Sequence, residues 1–247
     1  MPQQLDVDVP TPDGTCPSVL TVPDGEGPWP AVILFMDAGG VRPAMRQMAD
    51  RLAGMGYVVL VPEMYYRHGD YEPFDIATAF SDPGERARLF SMIGSVTKEM
   101  AASDTGAFLD FLDGRPEVAD APVGTTGYCM GGGLSLTAAA RHPDRIGAAA
   151  SFHGGNLASD APDSPHRIAG QIRGRVYVAG AKDDQSFPQE QADLLGEALS
   201  AGGVTHEITF YDAHHGFAVP DNATFDEAAA ARHWQALADL YGATLTA

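Results

Sequence analysis

The sequence predicts an α/β fold in which helices cover both faces of a mostly parallel sheet. Two apolar runs, residues 31–35 and 57–61, lack the alternation of polar and apolar residues, which is typical of strands buried on both faces. Longer segments such as 43–55 carry apolar residues along one side at helical spacing. Strands that alternate with helices in this way indicate βαβ units, and such units build parallel sheets.

The remaining elements follow from the same two patterns, taken along the chain. A hairpin is predicted first, because two strand-like runs flank the turn at residues 11–14. Strands are predicted at 5–9, 18–22, 31–35, 57–61, 123–127, 148–152, 176–179 and 206–211, and helices at 43–55, 101–112, 134–140, 189–201 and 225–241. Residues 62–100 are irregular, and we interpret them as a loop and a helical lid near the site. No linker divides the chain, which predicts one domain over residues 1–247.

The charge balance excludes two classes of partner. Acidic residues outnumber basic ones 33 to 15, for a net charge of −18, which repels nucleic acid and anionic membranes. Two cysteines exclude a disulfide framework, and no apolar run approaches the roughly 20 residues of a transmembrane helix. The N-terminus also lacks a basic, apolar leader. We therefore expect a cytoplasmic protein, either a monomer or a small homo-oligomer.

The pattern Gly-x-Cys-x-Gly at residues 127–131 is the candidate reactive centre. It joins a predicted strand to a predicted helix, as a nucleophile elbow does, with Cys129 where serine is more usual. Glycines suit this turn because the nucleophile has strained backbone angles and bulky neighbours would clash. The turn also aims the Met130 N–H at the reacting centre. The alternative is a buried, inert cysteine, since free cysteines are commonly buried.

Three further strand ends carry reactive side chains, and parallel strands place such ends at one edge of a sheet. Residues 176–179 are followed by Asp183 and Asp184, 206–211 by His214 and His215, and 31–35 by Asp37. The order of nucleophile, acid and histidine is that of α/β-hydrolases. A thiol of ordinary pKa is mostly protonated at neutral pH, so a base such as His215 has to activate Cys129. A carboxylate would fix the tautomer of that histidine.

Each of these residues also has a plainer interpretation. Asp183 and Asp184 are compatible with a solvated turn, and either of them could be the working carboxylate. His214 and His215 are compatible with a surface pair or with metal ligands. No nearby spacing of His, Cys or Glu completes a metal site, however, so the sequence predicts neither a metal nor a cofactor.

With these motifs in place, the chain resembles the dienelactone hydrolase family, whose members carry a Cys-His-Asp triad on an α/β-hydrolase fold. Residues 127–132 are similar to the family's elbow, and residues 213–217 resemble its histidine loop. The family's acid usually lies four residues before a proline, which selects Asp184 before Pro188, whereas counting from the preceding glycine selects Asp183. The resemblance extends over about residues 9–241.

The resemblance implies hydrolysis of an ester or lactone through a thioester. Cys129 would attack the carbonyl, His215 would move the proton, and Asp184 would orient His215. The N–H groups of Met130 and Ala38 would stabilise the oxyanion. No cofactor is implied, and the partner is a small-molecule ester or lactone.

Two departures from the family pattern affect the expected chemistry. Similar hydrolases have a glutamate that contacts the resting thiol, where this chain has the shorter Asp37. Relatives that process dienelactones have an arginine where this chain has Val219, and a second from the lid, for which Arg88 or Arg86 is the candidate. We therefore expect neutral or larger esters and lactones to be preferred over small carboxylate-bearing dienelactones. Candidate pocket walls are Phe217, Met36, Tyr65 and Arg67.

Two other function classes compete with the hydrolase. A ligand-binding or sensor protein on the same fold would be expected to lack a member of the triad, and none is missing here. A thiol-redox protein needs a second cysteine close to Cys129, and Cys16 belongs to the predicted N-terminal hairpin.

Overall fold

An eight-stranded sheet forms the centre of the structure, a computed structural model that describes residues 1–245. Its strands are β1 Gln3–Thr11, β2 Gly14–Val22, β3 Ala31–Phe35, β4 Val58–Pro62, β5 Val123–Tyr128, β6 Ile146–Phe152, β7 Arg175–Ala181 and β8 His206–Tyr211. They lie in the order β1-β2-β4-β3-β5-β6-β7-β8. The hairpin β1–β2 joins β4 antiparallel, and all strands from β3 onward run parallel. The mostly parallel sheet is confirmed.

Helices cover both faces of this sheet, as the sequence predicts. They are α1 Pro43–Gly54, α2 Pro83–Ser95, α3 Lys98–Asp113, α4 Met130–Arg141, α5 Gln189–Ala201 and α6 Glu227–Gly242. A Cβ added to Gly124 of β5 would meet Tyr241 of α6 at 2.9 Å. The next residue, Thr125, instead accepts a hydrogen bond at 2.8 Å from Ser135 of α4. Successive strand residues point to opposite faces, so α4 and α6 lie on opposite sides of the sheet.

The starts of three helices differ from those predicted, and local capping explains two of them. Helix α3 begins before residue 101 because the Thr97 hydroxyl accepts a hydrogen bond from the Met100 N–H at its first turn. Helix α6 begins at Glu227 because the Asp226 carboxylate caps it in the same way. Helix α4 begins at Met130, and its first turn has the three glycines of residues 131–133, which are poor helix formers.

The irregular segment of residues 62–100 contains a short 3₁₀ helix, Tyr66–His68, and helix α2. Arg67 anchors this segment, because its guanidinium donates to both oxygens of Asp104, a buried residue of α3. It also pairs with Asp13. Arg67 therefore holds the segment to the body of the fold and is not a pocket wall.

Among the helices that the structure describes, none combines the length and the apolar character required to cross a bilayer.

Candidate active site

The turn between β5 and α4 places Cys129 in a conformation that few non-glycine residues adopt. Cys129 has φ of 54° and ψ of −117°, and such backbone angles cost energy and cluster at functional sites. A Cβ on Gly127 would overlap the Gly131 carbonyl, and one on Gly131 would lie 2.5 Å from the carbonyl oxygens of Phe35 and Met36. Both glycines of the Gly-x-Cys-x-Gly pattern are therefore required by close backbone contact.

The same contact brings the end of β3 against the start of α4, and with it the Ala38 and Met130 backbones. Met130 is the first residue of its helix, so its N–H has no acceptor within the helix. Within residues 1–245, the Ala38 N–H donates no hydrogen bond. The buried Tyr65 hydroxyl joins the two segments, since it lies 3.0 Å from the Ala38 carbonyl and 3.2 Å from Met130 Sδ. Two free amides are thus held beside the elbow.

His215 and Asp184 meet at the ends of β8 and β7. His215 Nδ1 lies 2.7 Å from Asp184 Oδ2, and Asp184 Oδ1 accepts from both the N–H and the hydroxyl of Ser186 at 2.9 and 2.6 Å. Asp183 is exposed and in the left-handed region with φ of 58°, and His214 is also exposed. Adjacent side chains diverge, and Asp184 and His215 are the two that are hydrogen-bonded to each other.

The electrostatics of this pair favour charge separation. Burial alone would lower the pKa of His215, but the hydrogen bond to Asp184 and the neighbouring Cys129 thiol raise it to about 10. Burial would raise the pKa of Asp184, but the hydrogen bonds from His215 and Ser186 lower it below its usual value. An imidazolium beside an ionised carboxylate is the state expected of a base that has already taken the proton of a nucleophile.

Cys129, Met130, Asp184 and His215 open onto one cavity of about 450 Å³. Apolar side chains line most of it, namely Phe80, Phe90, Ile93, Val96 and Leu134, and the polar lining also includes Lys98, Asn156 and Ser186. Phe90 and Ile93 belong to α2, so the predicted lid segment forms one wall. Few polar groups in an apolar pocket are typical of a small-molecule site.

A second cavity, of about 510 Å³, shares Asp184 with the first. Its lining includes Asp183, Phe187 and Phe210 but not Cys129 or His215. Because Cys129 and His215 do not line it, the cavity at the elbow is the candidate active site.

Asp37 lies at the end of β3 and turns back onto its own loop. Its Oδ1 accepts from the Gly39 N–H at 2.9 Å and from Arg42 Nη1 at 2.6 Å, and its Oδ2 accepts from Arg42 Nη2 at 3.0 Å. Arg42 also donates to both oxygens of Asp221, at 2.7 and 2.8 Å. Within the described residues no hydrogen bond joins Asp37 to Cys129, so the expected contact with the thiol is not made. The influence of Asp37 on the thiol remains a prediction.

That influence can be tested through charge. Asp37→Asn leaves the Arg42 cation less compensated beside the elbow, which favours the thiolate, and we expect the pH profile of Cys129 alkylation to move to lower pH. Arg42→Met leaves a buried carboxylate unpaired, and we expect a move to higher pH. The measurement is the rate of iodoacetamide alkylation against pH in a Cys16→Ala background. Identical profiles in all three proteins would remove Asp37 from the chemistry.

The structure does not bring the two predicted substrate-binding residues into the cavity. Arg88 pairs with Glu85 at 2.6 Å and its guanidinium lies 3.7 Å above the Phe74 ring, so its charge is already engaged outside the lining. Arg86 is exposed, and its guanidinium carbon lies 5.7 Å from the ring centre of Phe90. Phe217 is fully buried behind His215, where it stacks on Tyr211 with ring centres 5.1 Å apart. Phe217 is therefore a packing residue, and neither arginine lines the cavity.

Sequence reasoning missed three residues beside the site. Nothing in the sequence marks Arg42 as a site residue, apart from its position after the glycines of the β3 loop. His153 follows β6 directly and could have been found by the strand-end rule that selected the other residues. It is buried with no hydrogen-bond partner for either ring nitrogen within residues 1–245, and its ring centre lies 5.1 Å from that of His215. Burial, together with His215 and His233, holds the pKa of His153 well below its usual value. The third, Lys98, was assigned to the lid.

Known proteins that resemble this chain in sequence and in structure carry related names. A protein of Methylorubrum extorquens, provisionally named a carboxymethylenebutenolidase, is 27% identical over 241 residues, which cover 96% of this chain and 79% of the relative. A carboxymethylenebutenolidase of Rhodococcus opacus is 28% identical over 213 residues, which cover 83% and 78%. The crystal structure of a provisionally named dienelactone hydrolase of Klebsiella pneumoniae superposes with a TM-score of 0.85 at 25% identity, covering 98% of this chain and 99% of that one.

The match to a family model covers nearly the whole chain. Residues 17–245 match the model of the dienelactone hydrolase family. The sheet order, the elbow and the relatives agree with this match, and they confirm the α/β-hydrolase fold. This chain is a hydrolase that belongs to the dienelactone hydrolase family.

Proposed function

We propose that this protein hydrolyses carboxylic esters or lactones, with Cys129 as the nucleophile. The observation that carries the proposal is the strained elbow that presents Cys129 to the same cavity as the hydrogen-bonded pair of His215 and Asp184. Relatives named carboxymethylenebutenolidase support a lactone or ester as the substrate class.

In the first half of the reaction, the Cys129 thiolate attacks the carbonyl carbon and the former thiol proton resides on His215. The carbonyl oxygen becomes an oxyanion, which the N–H groups of Met130 and Ala38 stabilise where the charge develops. When the tetrahedral intermediate collapses, the carbon–oxygen bond to the leaving group breaks. His215 gives its proton to the departing alkoxide, and the acyl group remains on sulfur as a thioester.

In the second half, His215 takes a proton from water as the water oxygen attacks the thioester. A second oxyanion forms in the same amide pair, and its collapse expels the Cys129 thiolate and releases the carboxylic acid. Asp184 keeps Nδ1 of His215 protonated throughout, so that the other ring nitrogen faces the reacting atoms. We assign residues 62–100 the role of a lid, since Phe90 and Ile93 of this segment line the cavity.

The competing function classes receive less support. Cys16 is fully buried in β2, and burial raises its pKa to about 12, so it is a poor partner for thiol exchange. A sensor that binds its ligand without turnover would not need a strained nucleophile beside a charged histidine.

The proposal is tested by supplying a panel of lactones and neutral esters to the purified protein and following acid release. We expect turnover of at least one ester or lactone in the absence of added metal or cofactor. Tight binding without acid release across the panel would favour the sensor and contradict the proposed hydrolase.

A further inference from the structure

Lys98 is the one lysine or arginine among the described residues that line the cavity at the elbow, and the other cation there, His215, is engaged with Asp184. It is the first residue of α3, and its Cε lies 3.5 Å from the position that a Cβ on Gly133 would occupy. Gly133 is four residues beyond Cys129 in the chain. At the rise of an α-helix this places Lys98 roughly 6 Å along α4 from the nucleophile, about one helical turn.

The positive charge of Lys98 contributes little to the stability of the fold. Its ion-pair partner is Asp163 at 3.4 Å, and the two side chains are 23% and 48% exposed. A single long contact between partly exposed side chains contributes little to stability. The start of a helix also disfavours a cation, because the helix dipole is positive there. The Thr97 hydroxyl already caps α3, so the helix does not need Lys98 in order to begin.

The cavity that Lys98 and Cys129 share is lined largely by apolar side chains. Phe80 and Phe90 are 43% and 51% exposed with ring centres 6.4 Å apart, and Ile93, Val96 and Leu134 continue the same surface. Asn156 adds an exposed amide to the lining. A substrate lying along this wall would have its reacting carbonyl at Cys129, an apolar portion against the aromatic rings, and its far end beside an ammonium group.

We propose that Lys98 determines specificity by binding an anionic group that an apolar spacer separates from the scissile carbonyl. The inference rests on the proposed ester hydrolysis and names its substrate class, namely half-esters in which the acyl chain ends in a carboxylate. A spacer of about four methylene groups spans the distance. In a chain of net charge −18, a single ammonium in the cavity offsets the repulsion that an anion otherwise meets. A compact lactone acid, whose charge lies next to its carbonyl, does not reach Lys98.

The test compares p-nitrophenyl half-esters of dicarboxylic acids that have two to eight methylene groups with the same esters capped by methyl. The measured quantity is the ratio of kcat/KM for the free acid to kcat/KM for its capped form. We expect this ratio to be largest at intermediate length and to fall about 10-fold or more in Lys98→Met, the effect of losing one charge-assisted contact. Lys98→Arg should retain most of the ratio.

Arg141→Met is the matched control, because it removes one positive charge from α4 at a residue outside the cavity lining. An equal fall in the ratio in this control would show that only the overall charge matters, and would overturn the proposal. An unchanged ratio in Lys98→Met would overturn it as well.

A binding measurement separates this proposal from the proposed hydrolysis. The phenyl half-amide of adipic acid keeps the carboxylate and replaces the ester with an amide. Calorimetry with the Cys129→Ala protein should show an affinity about 10-fold or more weaker when Lys98→Met is added. The same affinity with and without Lys98 would contradict the subsite whether or not any ester is hydrolysed.

Discussion

Cys129→Ala is expected to lower kcat for ester hydrolysis by about 10⁴-fold or more. The change removes the atom that forms the proposed thioester, and the remaining donors would retain only the catalysis that comes from binding and oxyanion stabilisation. The cost to the fold should be small, because alanine keeps the Cβ that the elbow already accommodates. The initial rate of acid release on the best ester of the panel is the measurement.

Cys16→Ala is the matched control for this experiment. Cys16 is fully buried in β2 and far from the cavity lining, so its truncation removes a core sulfur without touching the site. We expect turnover close to that of the unaltered protein, with a modest loss of stability. A folded Cys129→Ala protein that retains normal turnover would show that another group is the nucleophile.

His215→Ala is expected to lower kcat by roughly 100-fold or more, the contribution typical of a general acid–base group. His214→Ala should have a much smaller effect, because His214 is exposed while His215 is hydrogen-bonded to Asp184 at 2.7 Å. The two substitutions are at adjacent residues of the same loop, so each variant serves as the control for the other. The reverse ranking would mean that the loop after β8 uses the other histidine.

The pH dependence of stability gives a second readout for the same residue. The pKa of His215 is raised in the folded protein to about 10, above its ordinary value of 6.5. The charged imidazole therefore stabilises the fold fully below about pH 6.5, and this stabilisation is lost as pH rises through about 10. The difference in the free energy of unfolding between the unaltered protein and His215→Ala should shrink over that interval. A difference that grows over the same interval would contradict the assigned pKa shift.

Much of the fold follows from local patterns in the sequence. The buried run of β3, the helix α5 and the strand β8 have the limits that the apolar spacing predicts. The start of α4 does not have the predicted limit, because its first turn is rich in glycine. Close contacts require two of these glycines, Gly131 against the end of β3 and Gly132 against Ser151. Local propensity cannot reveal a requirement that a distant backbone imposes.

The same limit applies to the site. The elbow pattern selected Cys129, and the strand-end rule selected the loops that carry Asp183 and Asp184 and His214 and His215, because the carboxyl ends of parallel strands meet at one edge. The strand-end rule does not select Arg42 or Lys98, because both lie at the starts of helices. The packing of these helices brings them beside the site. Asp37 follows β3 as the sequence predicts. The direction of its carboxylate, however, depends on the hydrogen bonds from Arg42, and local sequence patterns do not predict that contact.

The most direct test of the thioester mechanism is to look for the acyl group on Cys129. A slowly deacylated ester, p-nitrophenyl pivalate, is mixed with the protein, quenched in acid within the first turnover, and digested for mass measurement. We predict a burst of nitrophenol equal to the protein concentration, with the acyl mass on the peptide that contains Cys129 and its loss on treatment with hydroxylamine. A stoichiometric burst in which the acyl group is found on any other side chain would contradict the thioester mechanism.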